Sequence, residues 1–284
     1  MNVQFIRFKA TDDVELQGWL STVPGDTAVL HLHGMSGNGY ENYFLDHLRE
    51  MYSKQGITFF SIDNRGRGVI TDFRQGDGSK KGGSCFELIE ESVHDIAGAT
   101  NYLKSIGKNK IILQGHSLGC MKVVNYLLEK GQSEIKAAVL IAPTDMVKWG
   151  EADANHEDYL ARAKKMVEEG KGDELVEERI WSQKTPISAK TYVSICAPGT
   201  GADMYGDREG GALLGRVEIP MLLVYGDADT GVQKTYGSIE NWVKRVEEIK
   251  HQNTEVKIVE GAQHGFRDRE KELTEQINIF IGKL

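Results

Sequence analysis

The sequence predicts an α/β protein, with an eight-stranded, mostly parallel sheet carrying helices on both faces. Three observations point there. Short runs rich in β-branched residues alternate with longer stretches of 3.6-residue periodicity. The runs Ile111-Ile112-Leu113, Ala138-Val139-Leu140-Ile141 and Met221-Leu222-Leu223-Val224 are continuously apolar, as central strands buried on both faces require. With 284 residues, 40% of them hydrophobic, the chain is long enough for one sizeable core plus an insertion.

In chain order, the expected strands are Val3–Lys9, Glu15–Thr22, Ala28–Leu32, Thr58–Asp63, Lys110–Gln114, Ala137–Ile141, Pro220–Tyr225 and Glu255–Glu260. Charged residues interleave the first two, which therefore read as an edge hairpin. Between strands, Ile89, Val93, Ile96, Thr100 and Leu103 recur at steps of three and four and give one buried helical stripe. Leu118, Met121, Val124 and Leu127/Leu128 form a second, which ends at Gly131. Ile239, Trp242, Val243, Val246 and Ile249 repeat the pattern, as do Leu273, Ile277, Phe280 and Ile281. From Thr144 to Glu218 the rhythm breaks: no strong strand is visible, and polar helical stretches such as His156–Glu169 take over. Residues 144–218 are therefore expected to be a cap or lid inserted into a core of residues 1–143 and 219–284. Gly76–Gly83 reads as a flexible loop.

A formal net charge of −8 disfavours attraction to nucleic acid or anionic lipid. No apolar run approaches the ~20 residues that span a bilayer. Near the start, Arg7, Lys9, Asp12 and Asp13 stand where a secretory signal would be apolar. Three cysteines, Cys85, Cys120 and Cys196, fit neither a disulfide framework nor a C-x-x-C metal site. Together these features predict a cytoplasmic protein with no nucleic-acid or membrane partner; they set no oligomeric state.

Gln114-Gly115-His116-Ser117-Leu118-Gly119 places G-x-S-x-G between a buried strand and a helix. So tight a turn needs glycine at 115 and 119 and forces a strained backbone on Ser117, which holds its hydroxyl clear of the sheet. The helix that starts there adds unpaired N–H groups and a positive dipole end, both suited to an oxyanion. A serine attacks only when a base takes its proton and a carboxylate orients that base. Two loops at later strand ends supply candidates: Gly226-Asp227-Ala228-Asp229, and Gly261-Ala262-Gln263-His264-Gly265. His264 is the only one of eight histidines in a glycine-flanked loop after the last strand. Asp145 is a further candidate acid.

With these motifs in the order serine, acid, histidine, the chain resembles the α/β-hydrolase superfamily over essentially its whole length. The resemblance implies the α/β-hydrolase fold, a helical cap and the triad Ser117, Asp229 and His264, with Asp229 as the D of G-x-x-D. Thr230-Gly231-Val232 stands where many relatives have a proline. One oxyanion donor is expected to be the Leu118 N–H. By resemblance, His33-Gly34-Met35 makes the Met35 N–H the second. Asp63-Asn64-Arg65-Gly66-Arg67-Gly68 matches a D-x-R-G-x-G segment whose usual part is to tie loops together.

Serine in place of a carboxylate nucleophile argues against dehalogenase and epoxide-hydrolase chemistry and leaves acyl transfer. His31-Leu32-His33 has metal-like spacing, but the further ligands of a metallohydrolase do not appear, so neither a metal nor another cofactor is expected. The His33-Gly34-Met35 turn and the loop Gly82–Leu88 look like hydrolases related to fungal siderophore esterases, which implies a small, polar ester as substrate. Met146, Trp149, Tyr159, Met166, Trp181, Tyr192, Met204 and Tyr205 are possible cap-side walls. Trp149, Trp181 and Tyr192 are the selected substrate contacts. Thioesterase, peptidase and acyltransferase activities share the triad, and a catalytically silent binding protein is the alternative of another class.

Overall fold

The computed structural model describes residues 2–180 and 185–284. Its strands begin with β1 (Gln4–Lys9), β2 (Glu15–Ser21), β3 (Thr27–Leu32) and β4 (Thr58–Asp63). A hairpin of β5 (Thr71–Gln75) and β6 (Gly78–Gly82) follows, then β7 (Lys110–His116) and β8 (Ile135–Ile141). A second hairpin, β9 (Leu175–Ile180) and β10 (Thr185–Ser188), precedes β11 (Met221–Gly226) and β12 (Thr254–Val259). The eight expected strands form one sheet in the order β1-β2-β4-β3-β7-β8-β11-β12. Only the β1/β2 and β2/β4 pairings are antiparallel. This is the α/β-hydrolase fold.

Sheet register explains the continuously apolar strands. Leu30 lies level with Phe60 and Leu113, and Leu113 with Ala138; all face one core. One residue away, Val29, Phe59, Ile112 and Ala137 face the opposite core. The helices are α1 (Phe44–Lys54), α2 (Ser92–Ser105), α3 (Leu118–Lys130), α4 (Met146–Glu151), α5 (His156–Glu168), α6 (Ala189–Cys196), α7 (Thr230–Tyr236), α8 (Ile239–Ile249) and α9 (Glu270–Ile281). α2, α3 and α8 cover the first face through the periodic residues named above, and α1 and α9 cover the second. No helix among the described residues is long and apolar enough to cross a membrane.

Both hairpins depart from the sequence reading. Within the expected loop Gly76–Gly83, Gly78–Gly82 instead pairs as β6 with the unforeseen β5, because Gly76 at φ +55° lets the chain reverse between Gln75 and its partner Gly78. Between β8 and β11 the chain carries not only α4, α5 and α6 but also the antiparallel β9–β10 pair. The charged Glu177-Glu178-Arg179 run hides β9 from a reading based on apolar alternation. Ala163, Tyr192, Ile195 and Cys196 of this segment are buried and extend the core of the first sheet face.

Loop ties at the C-terminal strand ends position the site. Arg65 is almost fully buried and bonds Asp95, Glu91 and Asp12, while Asp63 accepts from the Gly39 N–H at 2.9 Å and pairs with Arg67 at 3.1 Å. The D-x-R-G-x-G segment thus joins β4 to the loops after β1, β3 and β6.

Candidate active site

β7 delivers Ser117 into a strained conformation, φ 55° and ψ −125°, with α3 starting at the next residue. Such backbone costs about 1–3 kcal/mol and persists only where its surroundings enforce it. The surroundings are visible: a Cβ on Gly115 would lie 2.5 Å from the Gly119 carbonyl, and one on Gly119 would lie 2.4 Å from the Leu32 oxygen. Gly34 is also tightly placed, since a Cβ there would stand 2.8 Å from the Ser117 Cβ. The His33-Gly34-Met35 turn is therefore pressed against the serine.

The other two residues meet across successive loops. Asp229, fully buried after β11, accepts at Oδ2 from His264 Nδ1 at 2.7 Å and at Oδ1 from the Gly231 N–H at 2.6 Å. Its second bond caps α7 and fixes the carboxylate. Asp227 and Asp145 are engaged elsewhere. Asp227 accepts from the Gly261 N–H, and Asp145 caps α4 and accepts from the Tyr236 hydroxyl at 2.7 Å. Burial pushes the Asp145 carboxyl up.

Ser117, Asp229, His264, Met35 and Leu118 line one cavity of about 260 Å³, together with Thr144, Met146, Trp149, Thr230 and Gly231. Five of the eight residues singled out in the sequence as triad, oxyanion donors and substrate contacts thus converge with Trp149, a sixth. The Lys234 ammonium lies over the Trp149 ring, 4.2 Å from the indole centre. Tyr192 does not line this cavity: it is fully buried, hydrogen-bonds His156 at 2.9 Å and packs edge-on against Tyr159. Trp181 lies outside the described residues. Met204 and Tyr205 are also buried, the latter bonding the Pro143 carbonyl. Thr144 and Thr230 had no sequence signal beyond sitting beside a strand end and beside Asp229.

Two buried histidines hold the loops of the site. His116, inside the elbow, bonds through Nε2 to the His264 carbonyl at 2.9 Å, with the rings 5.0 Å apart. Desolvation, reinforced by the neighbouring His264 ring, pushes its pKa down to about 3, so it stays neutral. His33 bonds the Gly34 carbonyl at 2.7 Å through Nδ1 and accepts from the Asn64 N–H at 3.1 Å through Nε2; burial pushes it, too, down to about 3. His31 bonds Gln114 at 2.8 Å. The Cys120 thiol donates to the Gly115 and Ile141 carbonyls, and burial pushes it well up, which leaves it inert beside the elbow. No group of three His, Cys, Asp or Glu among the described residues is arranged around a common metal position.

A family model described as protein of unknown function (DUF1749) matches residues 82–282. No curated protein matches the chain. Among solved structures, Est1E from Butyrivibrio proteoclasticus with ferulic acid bound superposes with a TM-score of 0.69 at 16% identity, over 97% of this chain and 98% of that one. The α/β hydrolase GrgF from Penicillium sp. sh18 gives 0.69 at 16% identity, over 99% and 98%. The Pyrococcus furiosus esterase Pf2001 gives 0.65 at 17% identity, over 99% and 91%. These likenesses are to the fold over nearly the whole chain.

Proposed function

Since the chain belongs to the DUF1749 family, whose description assigns no activity, we propose from the site itself that it is a serine hydrolase acting on carboxylic esters of a small molecule. The observation that carries this is the 2.7 Å His264–Asp229 bond in a cavity whose wall also holds the strained Ser117.

In this reading the Ser117 hydroxyl attacks the ester carbonyl and its proton passes to His264 Nε2, while Asp229 keeps the other ring proton on Nδ1. The carbonyl oxygen gains the negative charge and accepts from the N–H groups of Met35 and Leu118, the latter at the N-terminal end of α3. Collapse expels the alcohol, which takes the proton from His264 and leaves an acyl group on Ser117. Water, activated by the same histidine, releases the acid. Esterase neighbours of the same fold support the reading, and the ferulic acid in Est1E supports a small carboxylic acid as the acyl half.

Substrate choice is assigned to residues 144–218 as a cap, with Thr144, Met146 and Trp149 as its contribution to the wall. The cavity has room for a short acyl chain or a single ring, and its lining holds no ionisable side chain besides Asp229 and His264. Buried cysteines with free thiols fit a reducing cytoplasm. Incubation with a fluorophosphonate followed by intact mass tests the assignment: one phosphonyl group is expected on the protein and none on Ser117→Ala. Equal labelling of the alanine variant, or none of the wild type, would refute it.

A further inference from the structure

Behind the oxyanion turn lies an ion pair cut off from solvent. Lys122, on the first turns of α3, places Nζ 2.5 Å from Glu87 Oε2, and each side chain is only 1% exposed. Among the described residues the Glu87 carboxylate has no other polar partner. The chain makes room for it at Gly66, where a Cβ would fall 2.0 Å from Glu87 Oε2. Burying two charges this completely costs several kcal/mol per ion, and an apolar pair of the same size would do as well for stability alone. Something other than stability is therefore a reason to look at what the pair touches.

Lys122 Nζ also donates to Asn64 Oδ1 at 2.9 Å, an oxygen shared with the Gly66 N–H at 3.0 Å. Held this way, Asn64 donates its side-chain amide to the His33 carbonyl at 3.2 Å and its backbone N–H to His33 Nε2 at 3.1 Å. A ring nitrogen that accepts from an N–H carries no proton, so His33 is the Nδ1–H tautomer and Nδ1 donates to the Gly34 carbonyl at 2.7 Å. Gly34 C=O and Met35 N–H belong to one planar trans peptide and point in opposite directions. Anchoring the carbonyl therefore aims the N–H.

We propose that the buried Glu87–Lys122 pair is a positioning device for the oxyanion turn, acting through Asn64 and His33 on the Gly34–Met35 peptide. This rests on the acyl-transfer reading of Ser117. The pair never touches substrate. Its two charges give Lys122 one fixed place, so Asn64 has one orientation and the Met35 donor cannot swing with the glycine beside it. Donors of this kind must be aimed before the reaction, since a displacement near 1 Å costs about 10²-fold.

The test is the double variant Glu87→Gln/Lys122→Met, which removes both charges and strands neither, with Asn64→Ala as the second cut in the relay if the double variant does not fold. Turnover of p-nitrophenyl acetate and inhibition by phenylboronic acid, whose tetrahedral adduct on the serine needs the oxyanion donors, are measured on each. Expected are a kcat lower by about tenfold or more, a KM within about twofold, and a boronate Ki raised in step with the kcat loss. A merely structural pair would lower Tm and leave kcat and Ki in place; folded variants with both within about twofold of wild type overturn the proposal. A wild type that neither turns over the ester nor binds the boronate overturns the acyl-transfer reading first, and this proposal with it.

Discussion

Acid should unfold this protein earlier than its acidic composition suggests, because His31, His33 and His116 are buried and neutral. Desolvation leads the downward shift in all three, to about 3 for His33 and His116. In the unfolded chain each titrates near 6.5, so below that pH the unfolded state binds protons the folded state refuses. The stability they confer is whole above about pH 6.5 and is lost as pH falls below it, for His33 and His116 down to about 3. From pH 7.5 to 5.5 each histidine removes about 1.4 kcal/mol, or about 4 kcal/mol for three, against a typical total of about 5–15. Urea unfolding at pH 7.5, 6.5 and 5.5 measures this. The variant His31→Gln, whose amide oxygen can still accept from Gln114, should lose about a third of the pH dependence. A wild-type loss below about 1.5 kcal/mol, or an unchanged dependence in His31→Gln, would refute the reasoning.

Two further outcomes follow from the site. Asp229→Asn should lower turnover by about 10⁴ with folding intact, whereas Asp227→Asn, whose carboxylate accepts from the Gly261 N–H, should stay near wild type; ester kinetics with circular dichroism decide between them. Trp149→Ala should change the ratio of kcat/KM between acetate and octanoate p-nitrophenyl esters by about tenfold, since a lost wall contact is worth about 1–3 kcal/mol, while Tyr192→Phe should leave that ratio alone.

How far the sequence reaches depends on how local each constraint is. Ser117 was legible because steric demands within five residues specify the elbow, and the structure shows those demands as contacts of Gly115 and Gly119. The central place of β7, β8 and β11 was legible because Leu113, Ala138 and Leu223 belong to apolar runs that two-sided burial explains, whereas the spatial order of the strands was not. Among the aromatics of residues 144–218, Trp149 and Tyr192 look alike in the sequence. The packing of α4 against α7, with the Lys234 ammonium over the indole, places Trp149 at the cavity, whereas Tyr192 is buried among partners that include His156 and Tyr159. The β5–β6 hairpin was missed because Phe73 is its only buried apolar side chain.

Charge was the least legible feature, for a physical reason. On α3, Lys122 sits between Met121 and Val123, where a lysine ordinarily lifts its ammonium into solvent. Nothing within a few residues announces Glu87, 35 positions earlier, or the glycine at 66 that leaves space for it. His116 is similar: its neighbours in sequence explain the turn, but its partner is the carbonyl of a histidine 148 residues away. Periodicity and motif describe surfaces that each element must bury. They are silent on polar pairs between elements, because a buried charge is tolerated only where another element, folded against it, supplies the counter-charge. Residues that break a local pattern without an evident local partner are therefore where this chain's tertiary structure adds most to its sequence, and here they stand directly behind the serine and the histidine of the site.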